Sequence, residues 1–162
     1  MTTPRVSVIV ASTGESPHLA EVLARAREQA EAVGGELLLS WNGPGSPEPW
    51  RSRVHRVISE PRPGKSLALN AAAAAARAEV CAFLDDDGLP EPGWLATLLA
   101  SFEREGERLG GVGGRVLPRE EESPDWYRRL VEGRASHFLG PRHDLGNEAR
   151  DYAAERDRKS VV

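Results

Sequence analysis

The sequence predicts an α/β domain: a three-layer α/β/α sandwich around a mostly parallel sheet. Three observations carry this expectation. Short runs that are apolar on both faces, the pattern of central parallel strands, alternate with helical patterns. Each run ends in a cluster of Gly, Pro, Ser, Asn or Asp before the next helix begins. The chain of 162 residues is one domain's length and can bury a proper core.

Each element follows in order. "VSVIV" (residues 6–10) is β-branched and bounded by Pro4 and a Ser-Thr-Gly turn, as a central strand should be. Ser16 is placed to cap a helix and Pro17 to occupy its first turn, with Leu19, Val22, Leu23, Ala26, Ala30 and Val33 at helical spacing. Gly34 and Gly35 stop that helix. "ELLLS" (36–40) is a second strand, and "WNGPGSPEPW" is too rich in Pro and Gly for anything but a loop. "RVHRVIS" (53–59) alternates as a third strand. Residues 66–78 are dominated by alanine and predict a helix. "VCAFL" (80–84) is a fourth strand. Trp94, Leu95, Leu98, Leu99 and Phe102 form one face of a further helix, and "GGVGGRVLP" (110–118) reads as a glycine-spaced fifth strand. Residues 1–117 thus form the core. Residues 118–162 are loop-rich, with a short helical pattern at "WYRRLVEG" and polar, partly disordered character towards the end.

Bulk properties narrow the partners. A formal net charge of -4 and a pI near 5.6 argue against nucleic acid or an anionic membrane. Phosphorylated small molecules stay open, because a pocket needs only a few basic side chains. The single cysteine, Cys81, cannot form an internal disulfide, as suits a reducing compartment. The first residues lack the apolar stretch of a signal peptide, and no run is long enough to span a bilayer. A cytoplasmic location is the expectation.

Parallel sheets bind ligands beyond the carboxyl ends of their strands. Here those ends carry "ASTGES", "SWNGPG", "EPRPGKS" and "LDDDGLP", which should converge on one crevice. Gly64-Lys65-Ser66 has the lettering of a nucleotide hydrolase's phosphate loop. The Walker pattern, however, puts a glycine at position 59, where this chain has Ser59. Pro61 and Pro63 also remove amides that such a loop needs. The adjacent Asp85, Asp86 and Asp87 repel one another unless a cation or water neutralises them. At the tip of an apolar strand they suit a magnesium or manganese ion shared with a diphosphate. A solvated turn is the alternative.

In ordered combination these segments resemble the family 2 glycosyltransferases of the GT-A fold. The resemblance covers about the first two-thirds of the chain, through "VSVIVAST", "ELLLSWNG", "PGKSLALNAAAAAARAEVCAFLDDDGLPEPGWLATLL" and "VGGRV". It implies a Rossmann-like half that binds a nucleotide-diphosphate sugar, and metal-dependent, inverting transfer of the sugar to an acceptor hydroxyl. Mapped residue by residue, it implies nucleotide contacts from Ala11, Ser12, Thr13, Ser40, Asn42, Lys65, Asp85 and Asp86, and metal ligation by Asp87 and Asp85. Asn70 matches a helix asparagine of the family that can equally be structural.

Two departures accompany the resemblance. Where the family usually has a nucleoside-contacting Asp after the second strand, this chain offers Ser40 or Trp41; Trp41 can stack on a base or anchor a loop. By the family's usual spacing the general base falls beyond Val162, which leaves residues 118–162 as a partial acceptor side. Asp144, Glu148 and Asp151 are acids there without a selecting pattern, and His137 and His143 are isolated. A non-catalytic nucleotide-sugar binding module is therefore the alternative to a transferase, with a nucleotide hydrolase third.

Overall fold

The structure, a computed structural model, describes residues 2–114 and 116. The chain divides into two compact units, Met1–Gly110 and Gly111–Val162. The first contains β1 (Ser7–Ser12), α1 (Leu19–Ala32), β2 (Glu36–Trp41), β3 (Arg56–Ser59), α2 (Lys65–Ala75), β4 (Cys81–Asp85) and α3 (Trp94–Glu105). Short 3-10 turns occupy Glu48–Arg53 and Gly106–Arg108.

All strand pairings are parallel, in the order β3-β2-β1-β4. The chain steps outward from β1 to β3, then returns to lay β4 on the other side of β1. The order reverses between β1 and β4; both strands feed helices on one face of the sheet, α1 and α3, while α2 covers the other, and the carboxyl end of such a reversal is where open α/β sheets take ligands.

Period-two alternation divides the core between two faces. Val8, Val10, Leu37, Leu39 and Ala82 pack with α1 and α3 residues such as Val22, Leu23, Leu95 and Leu99. Ile9 and Leu38 face the other way, onto Ala72 of α2. β1 and β2 are buried along their whole length, as their unbroken apolar runs require. The alanine face of α2, with Ala68 and Ala72 fully buried, lets its backbone lie close to the sheet. This is the predicted three-layer sandwich.

At the amino edge of the sheet, Glu36 is 1% exposed. It accepts hydrogen bonds from Ser7 Oγ at 2.8 Å, from Arg77 N at 3.0 Å and from Arg77 Nη2 at 2.6 Å. Ser7 Oγ in turn accepts from Ala78 N at 3.2 Å. These contacts end α2 earlier than the alanine run predicts, because the amides of residues 77 and 78 bond to side chains of the sheet rather than to helix carbonyls.

Other expectations need correction. The helix α1 starts at Leu19 with His18 in the cap position, later than Ser16 and Pro17 suggest, while Ser16 Oγ accepts the His18 amide at 3.3 Å in the turn before it. The third strand begins at Arg56 rather than residue 53, since a 3-10 turn over Glu48–Arg53 runs from the expected loop into the first residue of the expected strand. The ring Nδ1 of His55 accepts the amide of Leu37 at 2.9 Å just before that ladder begins. The fifth strand is absent over the described part of 110–118. Asp144, Glu148, Asp151, His137, His143 and the "WYRRLVEG" pattern lie outside the described residues. No helix among the described residues is long and apolar enough to cross a membrane.

Candidate functional site at the carboxyl edge of the sheet

The four strand-end loops converge as predicted, through specific bonds. Ser12 Oγ donates to Asp86 Oδ2 at 2.5 Å and accepts the Gly14 amide at 2.9 Å. Ser16 Oγ donates to the Asp86 carbonyl at 2.8 Å. Two serines of the β1–α1 turn therefore grip Asp86 by both its side chain and its backbone, at the point where strand order reverses.

The β2 loop is fastened on both sides. Trp41, 8% exposed, donates its indole N–H to the Gly45 carbonyl at 2.8 Å. A Cβ on Gly14, whose φ is +86°, would lie 2.3 Å from the Trp41 ring, so glycine there satisfies both the conformation and the contact. A Cβ on Gly43 would lie 2.0 Å from the Thr13 carbonyl oxygen, showing how tightly the β1 and β2 loops stack backbone on backbone.

On the other side, Asn42 Nδ2 donates to the carbonyls of Glu60 at 2.6 Å and Arg62 at 2.7 Å. Its Oδ1 accepts the Gly64 amide at 2.9 Å. All three bonds go to the β3–α2 loop, where Pro61 and Pro63 already restrict φ. In the same loop Glu60, 7% exposed, receives Arg62 bidentately at 2.8 and 2.7 Å. The guanidinium and the Arg62 amide together hold the Glu60 carboxyl down at about 2.

This fixed loop delivers Lys65, the first residue of α2. Its Nζ lies 2.6 Å from Asp85 Oδ1, with the two side chains 59% and 61% exposed. Asp87 is exposed and has no side-chain partner among the described residues. The three acids thus differ: Asp85 faces an ammonium, Asp86 turns inward to the serines, and Asp87 is open. Asp85 and Asp87 offer the hard carboxylate oxygens that magnesium and manganese take. No group of three or more His, Cys, Asp or Glu side chains converges among the described residues. An ion held there would draw its remaining ligands from water or phosphate, and two exposed carboxylates fit that arrangement.

The structure brings Ser12, Thr13, Lys65, Asp85, Asp86 and Asp87 to one rim. Ala11 is buried at the end of β1, in register with Ser40 on one side and Asp85 on the other. Ser40 requires a correction. It is fully buried and donates its hydroxyl to the Ala68 carbonyl at 2.7 Å, so it fastens α2 to the sheet and cannot reach a nucleotide. Asn42 is engaged at both ends of its amide by the β3–α2 loop. Trp41 is a loop anchor, and its buried ring is not offered to a base. Asn70 is exposed on α2, away from the buried helix face. Sequence reasoning took Ser16 for a helix cap and missed its bond to Asp86. The only signal was its place in the loop facing the acid run.

The family model described as "Glycosyl transferase family 2" matches residues 7–153. No curated protein matches the chain.

Proposed function

The chain belongs to glycosyl transferase family 2, and on that premise we propose that its carboxyl-edge crevice binds a nucleotide-diphosphate sugar for transfer to an acceptor hydroxyl, with inversion at the anomeric carbon. The family's general chemistry is glycosyl transfer from nucleotide sugars. The observation that carries the reading for these residues is the division of labour in the acid run. Asp86 is consumed as an anchor while Asp85 and Asp87 project at the β1/β4 switch point, beside a lysine delivered by the neighbouring loop.

In the reaction the bond from the anomeric carbon to the diphosphate oxygen breaks, and the acceptor oxygen forms the new bond from the opposite face as its hydroxyl proton passes to water. The bonding electrons leave with the diphosphate, whose negative charge grows. Lys65 can offset that charge with its ammonium, an electrostatic contribution preorganised by the loop that Asn42 holds. Ser12 and Ser16 bond the acid run directly to the β1 loop, which fixes Asp85 and Asp87 in place for a ligand on that rim. Asp85 and Asp87 would hold a Mg²⁺ or Mn²⁺ ion, which when bound supplies Lewis-acid stabilisation of the diphosphate oxygens.

Titrating UDP and GDP with and without Mn²⁺ tests this. Binding that manganese tightens, with the gain lost in Asp87→Ala, supports the reading; affinity that manganese leaves unchanged, or an unchanged Asp87→Ala variant, refutes it. Release of nucleoside diphosphate from a supplied donor and acceptor separates a transferase from a protein that only binds the donor.

A further inference from the structure

We propose that Lys65 couples the divalent ion and the nucleotide to each other: its ammonium neutralises Asp85 when neither is bound, and transfers to the diphosphate when the nucleotide enters. This rests on the reading of the crevice given above and goes on to predict cooperativity of binding.

The argument begins with where Lys65 sits. It is the first residue of α2, where the helix dipole opposes a cation, and no acidic residue lies in the first turn to offset it. Its compensating partner is Asp85, on a different element and 2.6 Å away. The other cation of the same loop, Arg62, is committed bidentately to Glu60 and is not free to take over. Asp86 is satisfied by Ser12, and Lys65 is the ammonium that pairs with Asp85. The loop that carries it is pinned by Asn42 at three points, whereas its own side chain is more than half exposed and can swing.

The consequence is electrostatic. A divalent ion approaching Asp85 alone meets a carboxylate already neutralised, and must displace an ammonium or lie next to it. With a diphosphate present, that ammonium gains anionic oxygens to move to, so releasing Asp85 costs little. Each ligand therefore raises the affinity of the other, and linkage makes the effect equal in both directions.

The test uses the full chain with Lys65→Met, which removes the charge and keeps the stem, and Lys65→Arg, which restores the charge. Free Mn²⁺ is counted by electron paramagnetic resonance in the absence of nucleotide, and UDP and GDP affinities are measured by calorimetry in EDTA. Lys65→Met is expected to bind Mn²⁺ alone on the order of three- to tenfold more tightly than the parent chain. It should bind metal-free nucleotide more weakly, and Lys65→Arg should return both values towards the parent. If the parent takes up Mn²⁺ with nucleotide but Lys65→Met leaves the affinity for Mn²⁺ alone unchanged or weaker, the coupling role is overturned and the donor-site reading stands. If neither the parent nor the variants take up nucleotide with Mn²⁺, both fall.

Discussion

Ser12 and Asp86, separated by 74 positions in sequence, meet at 2.5 Å where β1 and β4 part. The bond is charge-assisted and joins the first loop of the domain to the middle of the acid run. It allows the outer two carboxylates to face the crevice while the central one is held.

Ser12→Ala removes the only side-chain donor that the Asp86 carboxylate has among the described residues. Hydrogen bonds to charged groups contribute about 1.5–3 kcal/mol, so the variant should lose about that much stability in urea unfolding. Asp86→Asn keeps an acceptor oxygen for the same serine and should lose less than Asp86→Ala. If Asp86 is an anchor, Asp86→Asn also retains most Mn²⁺-dependent nucleotide affinity. A loss as large as that of Asp87→Ala would make Asp86 a direct ligand instead.

Asn42 offers a sharper chemical contrast. Asn42→Ala forfeits three bonds and should cost about 2–3 kcal/mol. Asn42→Asp is nearly isosteric, yet it loses both donors and sets a carboxylate against the carbonyls of Glu60 and Arg62. We expect Asp to be at least as damaging as Ala near neutral pH and to recover partly in acid, where a protonated carboxyl can donate again. Thermal unfolding of both variants at two pH values reads this directly.

The stacked loops predict a glycine series. Gly43→Ala drives a methyl into the Thr13 backbone, and Gly14→Ala combines a positive φ with contact against Trp41. Each should cost at least about 2 kcal/mol. A Cβ on Gly45 meets nothing within 4 Å, so Gly45→Ala should be nearly neutral. Gly14→Ala should also shift the tryptophan emission; equal stability across all three variants would contradict the loop packing.

At the opposite edge of the sheet, Glu36 sets an acid limit. Burial pushes its carboxyl up, but Arg77, through its guanidinium and amide, and Ser7 outweigh burial and hold it below the ordinary glutamate value. The folded-state value is depressed, so the stabilisation is fully present above the unfolded value near 4.5 and is lost as pH falls through the folded one. Arg77→Met leaves the buried carboxylate only Ser7, the residue 77 amide and the Arg56 guanidinium at 3.7 Å, and should cost about 1.5–3 kcal/mol at pH 7. Glu36→Gln strands no buried charge, since Arg77 is 46% exposed, and should cost less while flattening stability below pH 4.5. Urea midpoints between pH 3 and pH 7 distinguish the two variants.

The contrast between Ser40 and Lys65 shows why part of the site was legible in sequence and part was not. Both lie at or just beyond the end of a strand and both carry a polar group that suits a nucleotide. Lys65 follows a loop stiffened by two prolines and opens a helix, and it reaches the rim. Ser40 lies one residue before a strand ends, on the face that α2 covers, and its hydroxyl is spent on Ala68. Which face α2 covers depends on the crossover between β3 and β4, and no local pattern states it. The same holds for Ser16, whose local pattern reads as a helix cap and whose actual partner lies 70 positions away.

The order of apolar runs, helical spacings and turn residues by itself determined an α/β sandwich whose strand ends carry the chemistry, because burial periodicity is a local property of the chain. Tertiary structure alone decided which of three adjacent aspartates faces a lysine, which is held by serines and which stays open. Those assignments depend on contacts between loops brought together by the reversal of strand order. A run of identical residues contains no information about what each will meet.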